Sequence, residues 1–361
     1  MIHRLVLENL KHRPVLTLLT VVFIGLQVCL ILTLVGLSRG VLGDMASRSK
    51  GTGADIMVRP PDSSLLGFSG AMPEGIVDLV RRQPHVALAT GTYVQAVGTF
   101  DNITGIHPDE FDKLSGGLRY IAGTRFQDRD DLVVDEVFAR SHKLKPGSRV
   151  ELGHMWRVSG IVETGKLSRT FADIQNLQEM FSAHNKVSVI WLKLDDAANT
   201  QTVIAALKQL LPDHKIYSAE EFLSLFSVDN VPFLKPFTRV IIGLTVIGGF
   251  LIVLLAMYMT VLARTREIGI LKAMGASPGY VLGILFHETV ALALMGTAAG
   301  IAMTYVTRLL MRVFVPTMTQ EIVPDWYPYA TLIALGGSLV GAIYPGLRAA
   351  RQDAIQALAY D

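Results

Sequence analysis

Four long apolar runs constrain this chain more than any other feature. Residues 15–37, 240–263, 280–307 and 329–347 are each rich enough in aliphatic side chains, and about long enough, to cross roughly 30 Å of hydrocarbon as a helix. Inside a bilayer every backbone N–H and C=O must find its partner within the protein, which leaves the helix as the form for isolated runs of this kind. Composition agrees: the 361 residues are 50% hydrophobic and 18% charged, with a mean hydropathy of +0.41, too apolar for an ordinary soluble protein. The first run follows Arg4, Lys11 and Arg13 but is too long for a signal-peptide core. Leu26-Gln-Val-Cys29 has a bulky Val28 where a lipoprotein cleavage site needs a small residue, so Cys29 reads as a buried thiol. A single cysteine excludes an intrachain disulfide, and a net charge of +2 gives no reason to expect a nucleic-acid partner.

The runs are unevenly placed, and that divides the chain. Between the first and second lie nearly two hundred residues of ordinary soluble composition, a folded domain rather than a loop. Lys and Arg in the short flanks set the orientation, because they are retained on the cytoplasmic side. Arg4, Lys11 and Arg13 precede the first run, Arg264, Arg266 and Lys272 separate the second from the third, and Arg348 and Arg351 follow the fourth; Arg39, Lys235 and Arg239 weigh mildly the other way. The expectation is a polytopic α-helical membrane protein with four transmembrane helices, both termini cytoplasmic and an extracytoplasmic α+β domain. Its parts are a cytoplasmic amphipathic segment 1–14, spans at 15–38, 238–263, 279–307 and 329–347, the large outer domain 39–237, a cytoplasmic loop 264–278, a short outer loop 308–328 and a cytoplasmic tail 348–361. Membrane lipids are then a partner by construction.

Within the outer domain, alternation predicts strands at 54–59, 93–100, 132–134, 149–152, 157–162 and 187–194, and helical spacing predicts helices at 73–82, 134–143 and 197–211. Gly160-Ile-Val-Glu-Thr-Gly165-Lys166 approaches a phosphate-cradling loop, but Leu167 stands where Ser or Thr should hold magnesium. It reads as a strand running into a glycine turn, and no catalytic residue and no cofactor are assigned to this chain. No His, Cys or carboxylate spacing, His154-Met155 included, resembles a metal site. The Asn102-Ile-Thr104 sequon reads as chance. His287-Glu288 lies about two turns inside the third span, where ionisable groups need a partner. A structural or coupling role suits it better than a metal or proton relay. Gly296 and Gly300, like Gly337 and Gly341, put small residues one turn apart, which permits close helix packing within a chain or across a dimer.

The sharpest local feature is the segment 263–277, Ala-Arg-Thr-Arg-Glu-Ile-Gly-Ile-Leu-Lys-Ala-Met-Gly-Ala-Ser, directly after the second run. Ile268, Leu271 and Met274 share an apolar stripe, Arg264, Glu267 and Lys272 are expected to remain available to solvent or a partner, and Gly275 with Pro278 ends the segment. Arg264, Arg266, Glu267, Ile268, Gly269, Ile270, Lys272, Ala273, Gly275 and Ala276 fit a pattern R-x-R-E-I-G-I-x-[KR]-A-x-G-A, which resembles the FtsX-like permeases of MacB-type ABC transporters. The likeness continues through Phe286-His-Glu288 and Gly296/Gly300 to Tyr344-Pro345, Arg348-Ala-Ala-Arg351 and residues 353–360, with departures at Gly346, Ala354, Gln356 and Asp361. Leu7-Glu-Asn-Leu-Lys11 and residues 131–162 are also similar.

The resemblance implies a mechanotransmission (type VII) ABC transporter of the bacterial inner membrane. In it a homodimer of this permease is bound by two copies of a separate ATPase that holds the ATP and Mg and performs the hydrolysis. Closure of the ATPase pair would move the 264–278 loop, and the first two helices, the domain's only attachments, would tilt it as a stalk. The cargo would be an amphiphile (drug, peptide, lipid, lipoprotein or haem), effluxed or extracted, with a periplasmic adaptor or acceptor protein as a further partner. On this reading Arg264, Arg266, Glu267, Gly269, Lys272, Gly275 and Ala276 couple to the ATPase, and Glu288 links that loop to the helix bundle. The alternative is an FtsX-like regulator that activates a cell-wall hydrolase without transport. A membrane-bound enzyme would need an outer set of nucleophile, acid and base, and none converges in the sequence.

Overall fold

A computed structural model describes residues 14–63, 70–98, 101–226 and 234–351. The resemblance at Leu7–Lys11, the amphipathic segment expected at 1–14 except Pro14, and the tail beyond Arg351 lie outside the described residues. The chain forms two compact units. One comprises Met1–Arg39, Pro232–Met311 and Gln320–Asp361, and the other Gly40–Val231 with Arg312–Thr319.

The first unit is helical. Among the described residues, four helices are long and apolar enough to cross a membrane: α1 (Pro14–Lys50), α8 (Leu234–Ala263), α10 (Pro278–Phe314) and α11 (Tyr327–Arg351). All four run past the spans read from hydropathy, α1 by twelve residues at its C-terminal end, because polar residues such as Ser47 and Arg48 stop an apolar run without stopping a helix. Ile24, Val28, Ile31, Val253, Met257, Leu285, Leu292, Ala334 and Ala342 form a shared core. Hydroxyls of Thr20, Thr260, Thr289, Thr297 and Thr304 donate to the carbonyl one turn back, which satisfies them in apolar surroundings. Three of the four paired glycines, Gly296, Gly300 and Gly341, serve close packing inside one chain. A Cβ on Gly296 would stand 2.6 Å from Ile24 Cβ, and one on Gly300 2.5 Å from Gly25 O, so α1 and α10 touch nearly backbone to backbone. On α11 a Cβ at Gly341 would stand 2.8 Å from Phe250 O of α8, whereas one at Gly337 would find its nearest neighbour at 3.9 Å; the glycine is required at the first and spare at the second.

The second unit is α+β. Its strands are β1 (Ile56–Arg59), β2 (Met72–Pro73), β3 (Val86–Ala96), β4 (Asn102–Ile106), β5 (Tyr120–Gly123), β6 (Asp131–Asp135), β7 (Arg149–Glu151), β8 (Met155–Val162), β9 (Thr170–Asp173), β10 (Lys186–Val187), β11 (Val189–Leu194) and β12 (Lys215–Ser218). Ten pair into one sheet in the order β12-β1-β11-β3-β4-β9-β6-β8-β5, with β7 beside β8, while β2 pairs β10. The sheet is mixed: β4–β9 and β6–β8 are parallel and the other pairs antiparallel. Helices α2 (Gly75–Arg81), α3 (Pro108–Ser115), α4 (Glu136–Ser141), α5 (Ile174–Met180), α6 (Thr200–Leu210) and α7 (Ala219–Leu225) complete the unit.

Local chemistry explains where the sequence reading and the structure part. Residues 134–143, expected to be helical, divide: Val134 is fully buried in β6, and Asp135 caps α4 by accepting from Phe138 N at 2.7 Å. Residues 197–199 form a 3-10 turn before α6. The glycine-rich 160–166 segment is the end of β8 followed by a turn, with Gly165 at φ +107. Lys166 Nζ is spent on the backbone carbonyls of Ser115 and, at 2.5 Å, Gly117. Asn102 lies in β4, paired with Ala96.

Candidate functional site

The loop between α8 and α10 folds as a helix of its own, α9 (Thr265–Ala273). Its boundaries follow from the sequence. Arg264 leaves helical geometry at φ −116, and Thr265 Oγ1 donates to Val261 O and Leu262 O, satisfying carbonyls left over by the end of α8. At the other end, Gly275 N donates to Lys272 O and Ala276 N to Leu271 O, both at 3.0 Å, with Gly275 at φ +95. This is a Schellman cap, whose left-handed residue favours glycine. Ser277 then caps α10, accepting from Tyr280 N at 3.2 Å, with Pro278 as the first helical residue.

The inner face of α9 buries Thr265, Ile268 and Gly269. Arg264 is buried too, which corrects the expectation that it remains available at the surface: its Nη1 lies 3.3 Å from Glu288 Oε2 on α10, with side-chain exposures of 9% and 6%. Glu267, 66% exposed, lies 3.9 Å from Arg264 Nε. A guanidinium at a helix junction facing an apolar bundle needs a carboxylate to compensate its desolvation, and Glu288, one helix away, draws it inward. Leu16, Thr17, Thr20, Ala256, Met257, Thr260 and Leu292 line the small cleft around the pair. Lys272, also expected at the surface, is half-buried and donates from Nζ to Ala350 O at 2.7 Å, near the end of α11 where a cation suits the helix dipole. Arg348 on α11 returns the contact to α8, donating to Tyr258 Oη at 2.9 Å with its guanidinium 5.2 Å from the ring centre.

The opposite face stays open. Arg266, Glu267 and Gly275 are exposed, Ala276 is half-buried, and Ile270 and Met274 are 44% and 72% exposed. The expected stripe of Ile268, Leu271 and Met274 therefore does not form, since only Ile268 is buried. The segment turns off the helix at Met274, the C-cap, and leaves that side chain outward. His287 Nδ1 donates to Gly283 O at 2.7 Å, and among the described residues no group of three metal-ligating side chains occurs.

A second constellation was not legible beforehand. Arg169, just before β9, meets Asp44 of α1 and Asp135 of β6 inside the α+β unit. It lies in the stretch 167–186, where the pattern offered least, and an Arg beside a strand carries no signal of a partner 125 residues away in the chain.

Comparison with known proteins gives two family matches: the MacB-like periplasmic core domain over residues 17–210 and the FtsX-like permease C-terminal region over residues 239–354. The macrolide export ATP-binding/permease protein MacB of Escherichia coli is 23% identical over 400 aligned positions, covering 99% of this chain and 60% of that protein. The uncharacterized ABC transporter permease YknZ of Bacillus subtilis is 24% identical, covering 67% of this chain and 63% of YknZ. This chain thus spans about 60% of the length of the curated relatives it matches. The crystal structure of the periplasmic region of MacB from Actinobacillus actinomycetemcomitans aligns with 47% of this chain and 92% of its own, at 17% identity and a TM-score of 0.36.

Proposed function

The chain belongs to the family in which a MacB-like periplasmic core domain is joined to an FtsX-like permease C-terminal region, and from that membership we propose that it converts ATP hydrolysis on a separate ATPase into movement of its extracytoplasmic domain. The working unit in this reading is a homodimer with two ATPase copies that carry the ATP and Mg. Its cargo is an amphiphilic molecule, moved or extracted on the outer side, where a periplasmic adaptor or acceptor protein would receive it.

The observation that carries the reading is the two-sided character of α9. Arg264–Glu288 and Lys272–Ala350 tie its inner side to α10 and α11, while Arg266, Glu267, Ile270 and Met274 face outward. A helix fixed behind and open in front can receive a push and pass it on without folding away. The charges named for coupling therefore divide: Arg266 and Glu267 contact the partner, and Arg264, Lys272 and Glu288 transmit.

Because exposed ion pairs contribute only about 0–1 kcal/mol each, a single charge reversal is a weak test. The combined variant R266E/E267R/M274D should lower recovery of the copurifying ATPase by about tenfold, equivalent to roughly 1.4 kcal/mol, while the permease still inserts. Undiminished recovery, or no ATPase copurifying with the unmodified chain, refutes the reading. An outer domain that switches on a cell-wall hydrolase without moving cargo would turn it toward the regulatory alternative.

A further inference from the structure

The C-terminal turns of α1 belong to the α+β unit, and their side chains end in a closed set of charges. Asp44 Oδ2 lies 3.1 Å from Arg48 Nη2 and 2.9 Å from Arg169 Nη2. The same Arg169 Nη2 donates to Thr317 O at 3.2 Å, and its Nη1 lies 3.5 Å from Asp135 Oδ2. Arg169 is 12% exposed, Asp135 1%, Arg48 16% and Asp44 24%.

Asp135 is itself built into the sheet. It accepts from Phe138 N and from Thr164 Oγ1 at 3.0 Å, and its own N donates to Arg169 O at 2.7 Å. Backbone contacts close the same seam: Leu167 N donates to Arg48 O at 2.8 Å, and a Cβ on Gly51 would stand 1.9 Å from Gly165 O. One guanidinium thus joins three segments remote in sequence: the end of α1, the adjoining ends of β6 and β9, and the loop after α10.

Other features carry less. The exposed apolar stripe of α8 has nothing to say what covers it, and the Asp128–Asp131 cluster is satisfied by Arg157 and by the backbone N–H groups of Gln127 and Asp128. At Arg169 the geometry points to a mechanical role. Two cations and two anions balance in charge, so the set has no net charge to draw an ionic ligand, and its contacts fix the relative position of the three segments.

We propose that Arg169 is a positioning residue, the clamp through which a displacement of α1 reaches the sheet at Asp135. Beside it, among the described residues, the linkage runs through the short stretch 51–55, whose Gly53 sits at φ +71, and through the Leu167–Arg48 backbone contact. The inference rests on the functional reading above, since it supposes that α1 moves. A fork is needed because Nη2 hydrogen-bonds Asp44 and Thr317 O while Nη1 faces Asp135 across 3.5 Å as an ion pair without a hydrogen bond; Lys has a single terminal nitrogen and cannot copy it.

The test uses the full chain with its copurified ATPase in lipid nanodiscs. Cys29 is replaced by Ser and a fluorophore is placed at exposed Lys145 through K145C, with energy transfer read to headgroup-labelled lipid. ATP should change the transfer in the unmodified protein. R169Q should reduce that change by at least about threefold, in the range of coupling effects, with ATPase recovery and hydrolysis unchanged; R169K should remain reduced. D44N, which keeps the Asp135 and Thr317 contacts, serves as the second variant and should reduce the change in the same direction even if R169Q fails to insert. If the unmodified protein shows no change with ATP, the functional reading falls and this inference with it. If it does and R169Q or D44N retains the change in full, this inference alone is overturned.

Discussion

The Arg264–Glu288 pair offers the sharpest quantitative test of how α9 is held. Both side chains are nearly inaccessible, 9% and 6%, and they meet at 3.3 Å. Converting Glu288 to Gln keeps the shape and removes the charge from the 3.3 Å contact with the buried guanidinium, while Glu267, 3.9 Å away, is mostly in solvent. Breaking one half of a buried pair costs about 3–5 kcal/mol. The Glu267 contact and the threonine-lined cleft argue for the lower end, so E288Q should destabilise the helical unit by roughly 3 kcal/mol. R264M should cost a similar amount by removing the guanidinium contact of the buried Glu288. The double replacement R264M/E288L removes both charges, and an apolar substitute of similar volume is often close to neutral. A double-mutant cycle of R264M, E288L and R264M/E288L on reversible unfolding in mixed micelles should therefore show a coupling close to the sum of the two single costs, about 6 kcal/mol. The same variants should separate function from folding: R264M/E288L folds but stimulates the ATPase poorly, because the link from α9 to α10 is no longer directional. Single-variant effects that add to within about 0.5 kcal/mol would mean the two residues do not act as a pair, and the proposed transmission from α9 into α10 would fail.

Helix packing and the outer domain give two further tests. G300A places a methyl 2.5 Å from Gly25 O and 2.7 Å from Val28 Cβ and should cost about 1–3 kcal/mol, whereas G337A, with its nearest neighbour at 3.9 Å, should gain a few tenths to about 1 kcal/mol; thermal unfolding in detergent compares them, and equal effects would refute the assignment. In the α+β unit burial pushes the Asp131 carboxyl up, but the backbone N–H groups of Asp128 and Gln127 and the Arg157 guanidinium outweigh it and hold it below the usual range. Its folded value lies under its unfolded value of about 3.9, so its contribution is present above that value and is lost as pH falls through the folded one. D131N should lower stability at neutral pH and flatten the acid limb of the unfolding curve; an unchanged acid limb would count against the attribution.

Much of this was legible in the sequence, for identifiable reasons. The four spans are read from length and apolarity alone, and the stop of α9 from Gly275 and Pro278, because caps are local chemistry. Strands β1, β8 and β11 show themselves by alternation or by unbroken apolar runs. Strands β4, β5, β9 and β12 do not: each is short, and Asn102, Gly105 and Gly123 dilute their character, so their pairing is decided by neighbours in space. The inward turn of Arg264 was hidden for the same reason. A charge pattern gives the helical face but not the depth at which the next helix offers a carboxylate. Arg169 was hidden altogether, since its three partners come from three separate parts of the chain.

The continuity of α1 has a consequence for what lengths this protein can take. An unbroken helix transmits angle as well as distance: each added residue turns everything beyond it by about 100° and advances it by about 1.5 Å. One residue inserted between Asp44 and Arg48, whose carbonyl accepts from Leu167 N at 2.8 Å, would aim the Asp44 carboxylate away from Arg169 while barely changing the reach. The seven-residue step, close to two full turns, nearly restores the phase. The helix between these two contacts is therefore tuned in register, and its length can change only in steps that keep both ends facing their partners.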